Sequence, residues 1–401
     1  MGVIKFFIQF IELVVFLYLG FAAVYLFVFA VAGIFPQKKN NKHITKLRKF
    51  AVLIPGYKED QVIVEVAKKA LQQDFPTAFY EVVVIADSFQ PETLQQLKAL
   101  PIKLVEVSFE KSTKSKALNK AMQVIGDAYD VALILDADNV MAKDFISKIN
   151  KAFDLGYRVV QGHRVAKNLN TSFAVLDAIS EEVNNQIFRK GHRNLGYSSA
   201  LIGSGMAFEY SFFKSTMKAV NAVGGFDKEL ELKLLKAKHQ IAYVNDALVF
   251  DEKVQHVEVF EQQRKRWLSA QFVYFRRYFV SGCKELWMNG NLDFFDKVYQ
   301  MITPPRVLLL GWVSMITFIY AALNLMGLES STFIHSTWWL SVFVLTVMAL
   351  LLAIPKKFYN AFTLLAVLKL PQAFLSMLFS LFKLKGANRK FIHTQHGTID
   401  H

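Results

Sequence analysis

Asp136-Ala137-Asp138 sets two carboxylates one residue apart, directly after five apolar residues, Val131 to Leu135. A pair of carboxylates where a buried strand surfaces is a hard oxygen site. Mg²⁺ or Mn²⁺ suits such ligands and keeps positions open for phosphate oxygens. An ion there would stabilise a diphosphate leaving group as its charge develops. The same residues would also suit a solvated strand-to-loop turn, where Asp is common. Farther along, Asp227 and Glu229 stand at the start of a helical pattern, where acidic groups are good capping chemistry.

The elements that must position these groups are legible as punctuated apolar runs. Ala51 to Ile54 ends at Pro55-Gly56, Val82 to Ile85 ends at Asp87, and Val131 to Leu135 runs into Asp136. Such short runs read as buried parallel strands. Val62 to Leu71 and Thr113 to Ile125 between them have helical periodicity. Strands alternating with helices imply a doubly wound sheet, whose ligands bind beyond the carboxyl ends of the strands. Glu59, Asp87, Asp136 and Asp138 therefore converge on one crevice.

The 401 residues carry 47 Lys and Arg against 33 Asp and Glu, a net charge of +14, yet 53% are hydrophobic. That content excludes a disordered chain, and a single cysteine, Cys283, excludes a disulfide scaffold. A positive mean hydropathy of +0.27 beside a basic charge points to a membrane protein with a cationic face. Phe6 to Phe35 carries one charge, Glu12. As a helix these residues would span roughly 45 Å, more than the roughly 30 Å of a hydrocarbon core. Lys38, Lys39, Lys42, Lys46, Arg48 and Lys49 follow, which puts the N-terminus outside and the next domain in the cytoplasm. Residues 303–325 and 336–354 are candidate spans. The stretch 358–382, broken by Lys369 and Pro371, reads as an interfacial helix with a cytoplasmic tail. The expected organisation is a transmembrane helix at 1–36, a cytosolic catalytic domain at 45–258, interfacial helices at 259–300, two spans at 301–355 and an interfacial helix with a tail at 356–401.

In this order the motifs resemble glycosyltransferase family 2. Pro55-Gly56-Tyr57-Lys58-Glu59 resembles its opening motif. Lys114-Ser115-Lys116-Ala117-Leu118-Asn119 is similar to its K-x-x-A-L-N segment, Asp136-Ala137-Asp138 to its DxD, and Gln263-Arg264-Lys265-Arg266-Trp267 to its Q-x-x-R-W signature. The resemblance covers about residues 45–400 and is nearest to cellulose, hyaluronan and chitin-oligosaccharide synthases. It implies a GT-A fold, a Rossmann-like α/β domain with a mostly parallel sheet, plus an α-helical transmembrane region. It also implies roles. Pro55, Tyr57, Glu59 and Asp87 line the nucleotide pocket with Lys114 nearby. Asp136 touches the nucleotide and Asp138 binds Mg²⁺ or Mn²⁺. Asp227 falls at the position of the general base, but Phe226 replaces the Glu usual before it, which leaves Glu229 as a rival. A base must reach the acceptor hydroxyl within hydrogen-bond distance.

Gln263, Arg266 and Trp267 close the acceptor side by the same resemblance. Trp offers a flat face to a sugar ring and Arg can pair with diphosphate oxygens, although both residues also suit a membrane interface. Gly203-Ser204-Gly205 resembles the loop where the acceptor end approaches, or is an ordinary loop. Phe391, Thr394 and His396 resemble the gating loop of bacterial cellulose synthase, with His396 in place of Lys; a basic tail is the alternative.

The expected activity is inverting transfer from a UDP-sugar to a saccharide acceptor, building a β-linked polysaccharide at the bilayer. Single sugar transfer to a membrane lipid is the alternative, followed by a non-catalytic nucleotide-sugar-binding subunit; the acceptor is a saccharide or lipid-linked. The sequence leaves an oligomer open. The absence of G-x-x-x-x-G-K-[ST] and G-x-G-x-x-G argues against P-loop and dinucleotide folds. Basic charge placed beside membrane segments argues against a nucleic-acid partner.

Overall fold

The computed structural model describes residues 2–37, 46–220, 225–253, 257–328 and 332–382. Helix α1 (Gly2–Ile34) leads into a sheet domain. Its elements are β1 (Phe50–Tyr57), α2 (Ile63–Ala70), β2 (Tyr80–Asp87), α3 (Pro91–Lys98), β3 (Lys103–Val107), α4 (Lys114–Ile125), β4 (Val131–Ile134), β5 (Val140–Met141), α5 (Phe145–Asp154) and β6 (Val159–Ala166). Next come α6 (Ser172–Asn184), a π-helical turn (Asn185–Gly191) running into α7 (His192–Asn194), β7 (Met206–Glu209), α8 (Tyr210–Met217), α9 (Phe226–Lys236) and β8 (Ile241–Asp251). The rest is helical: α10 (Val257–Asn289), α11 (Leu292–Gln300), α12 (Arg306–Leu325), α13 (Ser336–Ala353), α14 (Ala361–Val367) and α15 (Leu370–Phe382).

The strands form one sheet in the order β3-β2-β1-β4-β7-β6-β8-β5. β3, β2, β1 and β4 are parallel, as are β6 and β8, while β7 and β5 run antiparallel to their neighbours. The mostly parallel α/β sheet expected from the sequence is present. Strand order reverses between β1 and β4, so the crevice of this fold lies beyond their carboxyl ends. Tyr57 ends β1, and Asp136 follows β4 by two residues.

Why these runs are central strands is plain from their burial. Ala51 to Ile54, Val82 to Ile85 and Val131 to Leu135 are all fully buried. Side chains alternate across the sheet. Leu53, Val83 and Ile134 pack with Leu118 and Met122 of α4 on one face, and Val52, Val84 and Leu133 pack with Ile63 of α2 and Phe145 of α5 on the other. Each such side chain contributes about 1.5–3 kcal/mol. Helix α4 starts where Thr113 accepts a hydrogen bond from the Lys116 N–H.

Helix α1 lies on this domain along its second half. Ala22, Ala23, Leu26 and Ala30 are fully buried and cluster with Val183 and Ile187. Two glycines permit the approach: a Cβ on Gly33 would meet the Gln186 carbonyl at 2.5 Å, and one on Gly191 would collide with the Phe29 carbonyl. Phe29 stacks on His192 at 3.7 Å. The Tyr25 hydroxyl donates to Asp296 Oδ1 at 2.6 Å, which ties α1 to α11.

Four helical stretches are long and apolar enough to cross a membrane: Val3–Ile34, Arg306–Leu325, Ser336–Ala353 and Ala361–Phe379. The last is broken between α14 and α15, and Ala366 of α14 buries with Phe358 against Val175 and Ala178 of α6.

Candidate active site

The turn after β4 is built by hydrogen bonds from three directions. Lys114, the first residue of α4, forms an ion pair with Asp136 Oδ1 and donates to the Gly203 carbonyl at 2.7 Å. The Asp136 N–H donates to Ser204 Oγ at 2.9 Å, and Ser204 Oγ donates to Asn139 Oδ1 at 2.5 Å. Asn139 Nδ2 donates to Asp138 Oδ1 at 3.1 Å and to Asp251 Oδ1 at 2.9 Å. Asp138 is 6% exposed, whereas the Asp136 side chain is 34% exposed and faces the crevice. Gly203 and Gly205 both have positive φ, 82° and 62°, which lets the loop bring its backbone to Lys114 and to the β4 turn.

Gly203 also adjoins the start of α9. A Cβ on Gly203 would lie 3.8 Å from Asp227 Oδ2. Gly225, at φ 66°, turns the chain into α9, and no side chain caps that end, so Asp227 is not the N-cap its sequence suggested. It sits in the first turn, half-buried. Phe226 occupies the position where the family has Glu. Its ring lies 5.3 Å from the Lys114 ammonium, so Lys114 joins Asp136, the Gly203 loop and the α9 turn.

Glu229 is placed differently. It is buried and pairs with Lys233 at 2.9 Å, with Arg277 of α10 at 4.0 Å. The closer of these pairs lies within α9, one turn apart, and the longer one reaches α10. Its neighbour Glu231 pairs with Lys297 at 2.7 Å.

On the nucleotide side, Tyr57 and Asp87 are register partners on β1 and β2. The Lys58 N–H donates to the Asp87 carbonyl at 3.1 Å, with Lys58 at φ 56° and its ammonium 5.4 Å from the Tyr57 ring. Pro55 is half-buried in β1. The Glu59 carbonyl accepts from Val62 and Ile63 and so starts α2.

The Gln263–Trp267 segment stands on α10, which meets the α9 turn farther along, through Ala270 and Tyr274 against Gly225. Within the segment, Arg264 pairs with Asp177 of α6 at 2.6 Å and lies over the Trp267 ring at 4.7 Å. Burial lowers the pKa of Arg266, and Gln263 Oε1 is buried without a hydrogen-bond donor. Trp267 is 38% exposed. Phe391, Thr394 and His396 lie outside the described residues.

Sequence reasoning missed the support behind the turn. Asp251 is held by Lys253 at 2.6 Å and Arg164 at 3.7 Å. Arg164 continues to Glu181 at 2.9 Å, and Glu181 to Arg189 at 3.1 Å. Burial alone would raise both carboxyls. For Glu181, Arg164 and Arg189 outweigh it and hold the group well below the carboxylate range; for Asp251, Arg164 and Lys253 do the same. These residues are dispersed over β6, α6 and β8, so no local spacing betrays them.

Residues 48–270 match the family model described as "Glycosyltransferase like family 2". The chain belongs to this family. A curated relative, the poly(ribitol-phosphate) beta-N-acetylglucosaminyltransferase TarS of Staphylococcus aureus, is 28% identical over 102 residues, which is 24% of this chain and only 18% of the relative. Among solved structures, a mannosyltransferase from Pyrobaculum calidifontis in complex with GDP-Man and Mn²⁺ is similar with a TM-score of 0.51 and 15% identity, covering 84% of this chain and 96% of that one. S. aureus TarS 1–349 in complex with UDP-GlcNAc has a TM-score of 0.41 and 14% identity, over 85% of this chain and 91% of that one. The family and the sheet establish a glycosyltransferase of GT-A architecture.

Proposed function

We propose that this glycosyltransferase takes its sugar from a nucleotide sugar, a UDP-sugar first, and transfers it with inversion to a hydroxyl of a saccharide acceptor at the membrane. The observation that carries the reading is that Lys114 joins Asp136 to the Gly203 carbonyl, with Gly203 beside Asp227. It supports a carboxylate turn and a half-buried carboxylate acting at one site.

Asp138 and Asp136 would hold Mg²⁺ or Mn²⁺. The donor set fits such an ion: two carboxylates on one turn, one of them ordered by a buried amide, with the remaining positions left to phosphate oxygens and water. Among the described residues no cluster of three His, Cys, Asp or Glu is present. When bound, it supplies charge stabilisation to the departing nucleotide. The chain's own groups do the rest. Asp227 accepts the acceptor's hydroxyl proton, and that oxygen attacks C1 from the face opposite the nucleotide, giving a β-linked product. Lys114 keeps Asp136 and the Gly203 loop in register. Tyr57 and Asp87 bind the base and ribose side. Glu229, already paired, orders α9 against α10.

The relatives' names support a nucleotide donor while differing in its base, with UDP-GlcNAc in one and GDP-Man in the other. We place α1, α12 and α13 across the bilayer with the sheet domain on the cytoplasmic side. The seating of α14 on α6 supports α14 and α15 lying at the interface.

Membranes carrying the full-length protein are incubated with labelled UDP- and GDP-sugars, with Mn²⁺ or EDTA, and the products are sized. Asp227→Asn is expected to lower transfer about 10²–10⁴-fold, and Glu229→Gln far less. Transfer that survives both EDTA and Asp138→Ala would refute the metal-assisted reading. A ladder of products supports polymerisation, and one lipid-linked sugar supports single transfer. No transfer or hydrolysis of any donor that nonetheless binds leaves the non-catalytic subunit.

A further inference from the structure

The two aspartates of the β4 turn are held by different groups. Asp136 faces a cation, Lys114, which offsets part of its charge. Asp138 Oδ1 accepts a hydrogen bond from the amide of Asn139, which orders it. Asn139 is fully buried. Its orientation follows from chemistry: the edge facing the Asp138 and Asp251 carboxylates must be the NH₂ group, because ionised carboxylates only accept. Its carbonyl accepts the Ser204 hydroxyl, whose oxygen takes the Asp136 N–H. Both protons and the oxygen of one amide are thus engaged, and both aspartates are reached through it.

The anchor behind Asn139 is rigid. Asp251 ends β8 and is fixed by Lys253, itself fully buried, and by Arg164, which Glu181 holds in turn. Turning the Asp138 carboxylate would break a buried hydrogen bond and leave an amide proton unsatisfied.

We propose that Asn139 is the positioning residue of the divalent-ion site: it braces Asp138 against Asp251 so that the carboxylate is presented in one fixed orientation. This rests on the reading of Asp138 as an ion ligand. Groups that orient a metal's ligands commonly change affinity about 10–100-fold when removed, and that is the expected loss here.

The test uses full-length protein in detergent with saturating UDP or GDP, whichever the donor panel selects. Mn²⁺ binding is titrated by electron paramagnetic resonance, and nucleotide binding is measured separately in EDTA. Asn139→Ala and the milder Asn139→Ser are expected to bind nucleotide in EDTA like the wild type but Mn²⁺ about 10–100-fold more weakly. Wild-type Mn²⁺ affinity in both variants overturns the assignment, even if their thermal midpoints fall. Loss of EDTA-stage nucleotide binding in both makes Asn139 a packing residue and also overturns it. A wild type that binds nucleotide yet takes up no Mn²⁺ is a separate outcome: it removes the ion from the proposed function, and this inference with it.

Discussion

The two halves of the sheet solve different problems. In β3-β2-β1-β4 the central strands are apolar and buried on both faces, and polar chemistry appears only where they end, at Tyr57, Asp87 and Asp136. In β7-β6-β8-β5 the strands carry Gln161, His163, Arg164 and Asp251 along their length, paired with Glu181 and Glu182 of α6 and Lys253 beyond β8. One half delivers functional groups by topology. The other holds them from behind with buried charge. Buried ion pairs cost heavily when one partner is removed, so the second half trades tolerance for order.

The comparison can be broken in a graded series. Asp138→Ala should reduce transfer about 10³-fold, the loss of several kcal/mol of charge stabilisation, and cost about 1–3 kcal/mol of stability through the unsatisfied Asn139 amide; product formation and calorimetry on one preparation check both. Glu181→Ala removes the nearer carboxylate of Arg164 and the carboxylate partner of Arg189, and should destabilise by about 3–5 kcal/mol. Leu53→Ala, in the apolar half, should cost about 2–5 kcal/mol through lost burial and a cavity. Denaturant midpoints compare the two. If Glu181→Ala is the milder, the contrast between the halves is wrong.

Acid should find the same seam. Glu181 and Asp251 have pKa values below their ordinary 4.5 and 3.8. Their contribution is therefore complete above about pH 4.5 and drains away as the pH falls toward their folded-state values. Glu181→Gln should flatten the thermal midpoint's decline below pH 4.5, and an unchanged slope would remove Glu181 from the account. The smallest effect belongs to Lys46→Ala. Lys46 and Asp130 are exposed and 3.5 Å apart, so the change should stay within about 1 kcal/mol.

The same division decides what a sequence reveals. β1, β2 and β4 are continuous apolar runs ending in punctuation, and α12 and α13 fall within a few residues of the stretches 303–325 and 336–354. Asp136 and Asp138 stand out in the sequence because carboxylates after an apolar run are conspicuous, and Lys114 through its place in the K-x-x-A-L-N segment. β6 and β8 do not, because polar residues such as Gln161, His163 and Arg164 interrupt their apolar pattern and the partners of His163 and Arg164 come from α6, distant in sequence. β5, two residues long, has no periodicity to detect. Asn139 hid in plain view, since Asn in a turn is ordinary; only its two carboxylate partners, one of them 112 residues away, give it a role. Residues 259–300, expected as interfacial helices, contain one 33-residue helix from Val257 and a second, α11.

The seating of α1 has a practical consequence. A fragment trimmed after Ile34 to obtain a water-soluble enzyme would uncover Val183, Ile187 and His192, and would strand Asp296 without the Tyr25 hydroxyl. The leading helix acts as a buttress. Expression work should keep it, because the sheet domain borrows part of its interior from this helix.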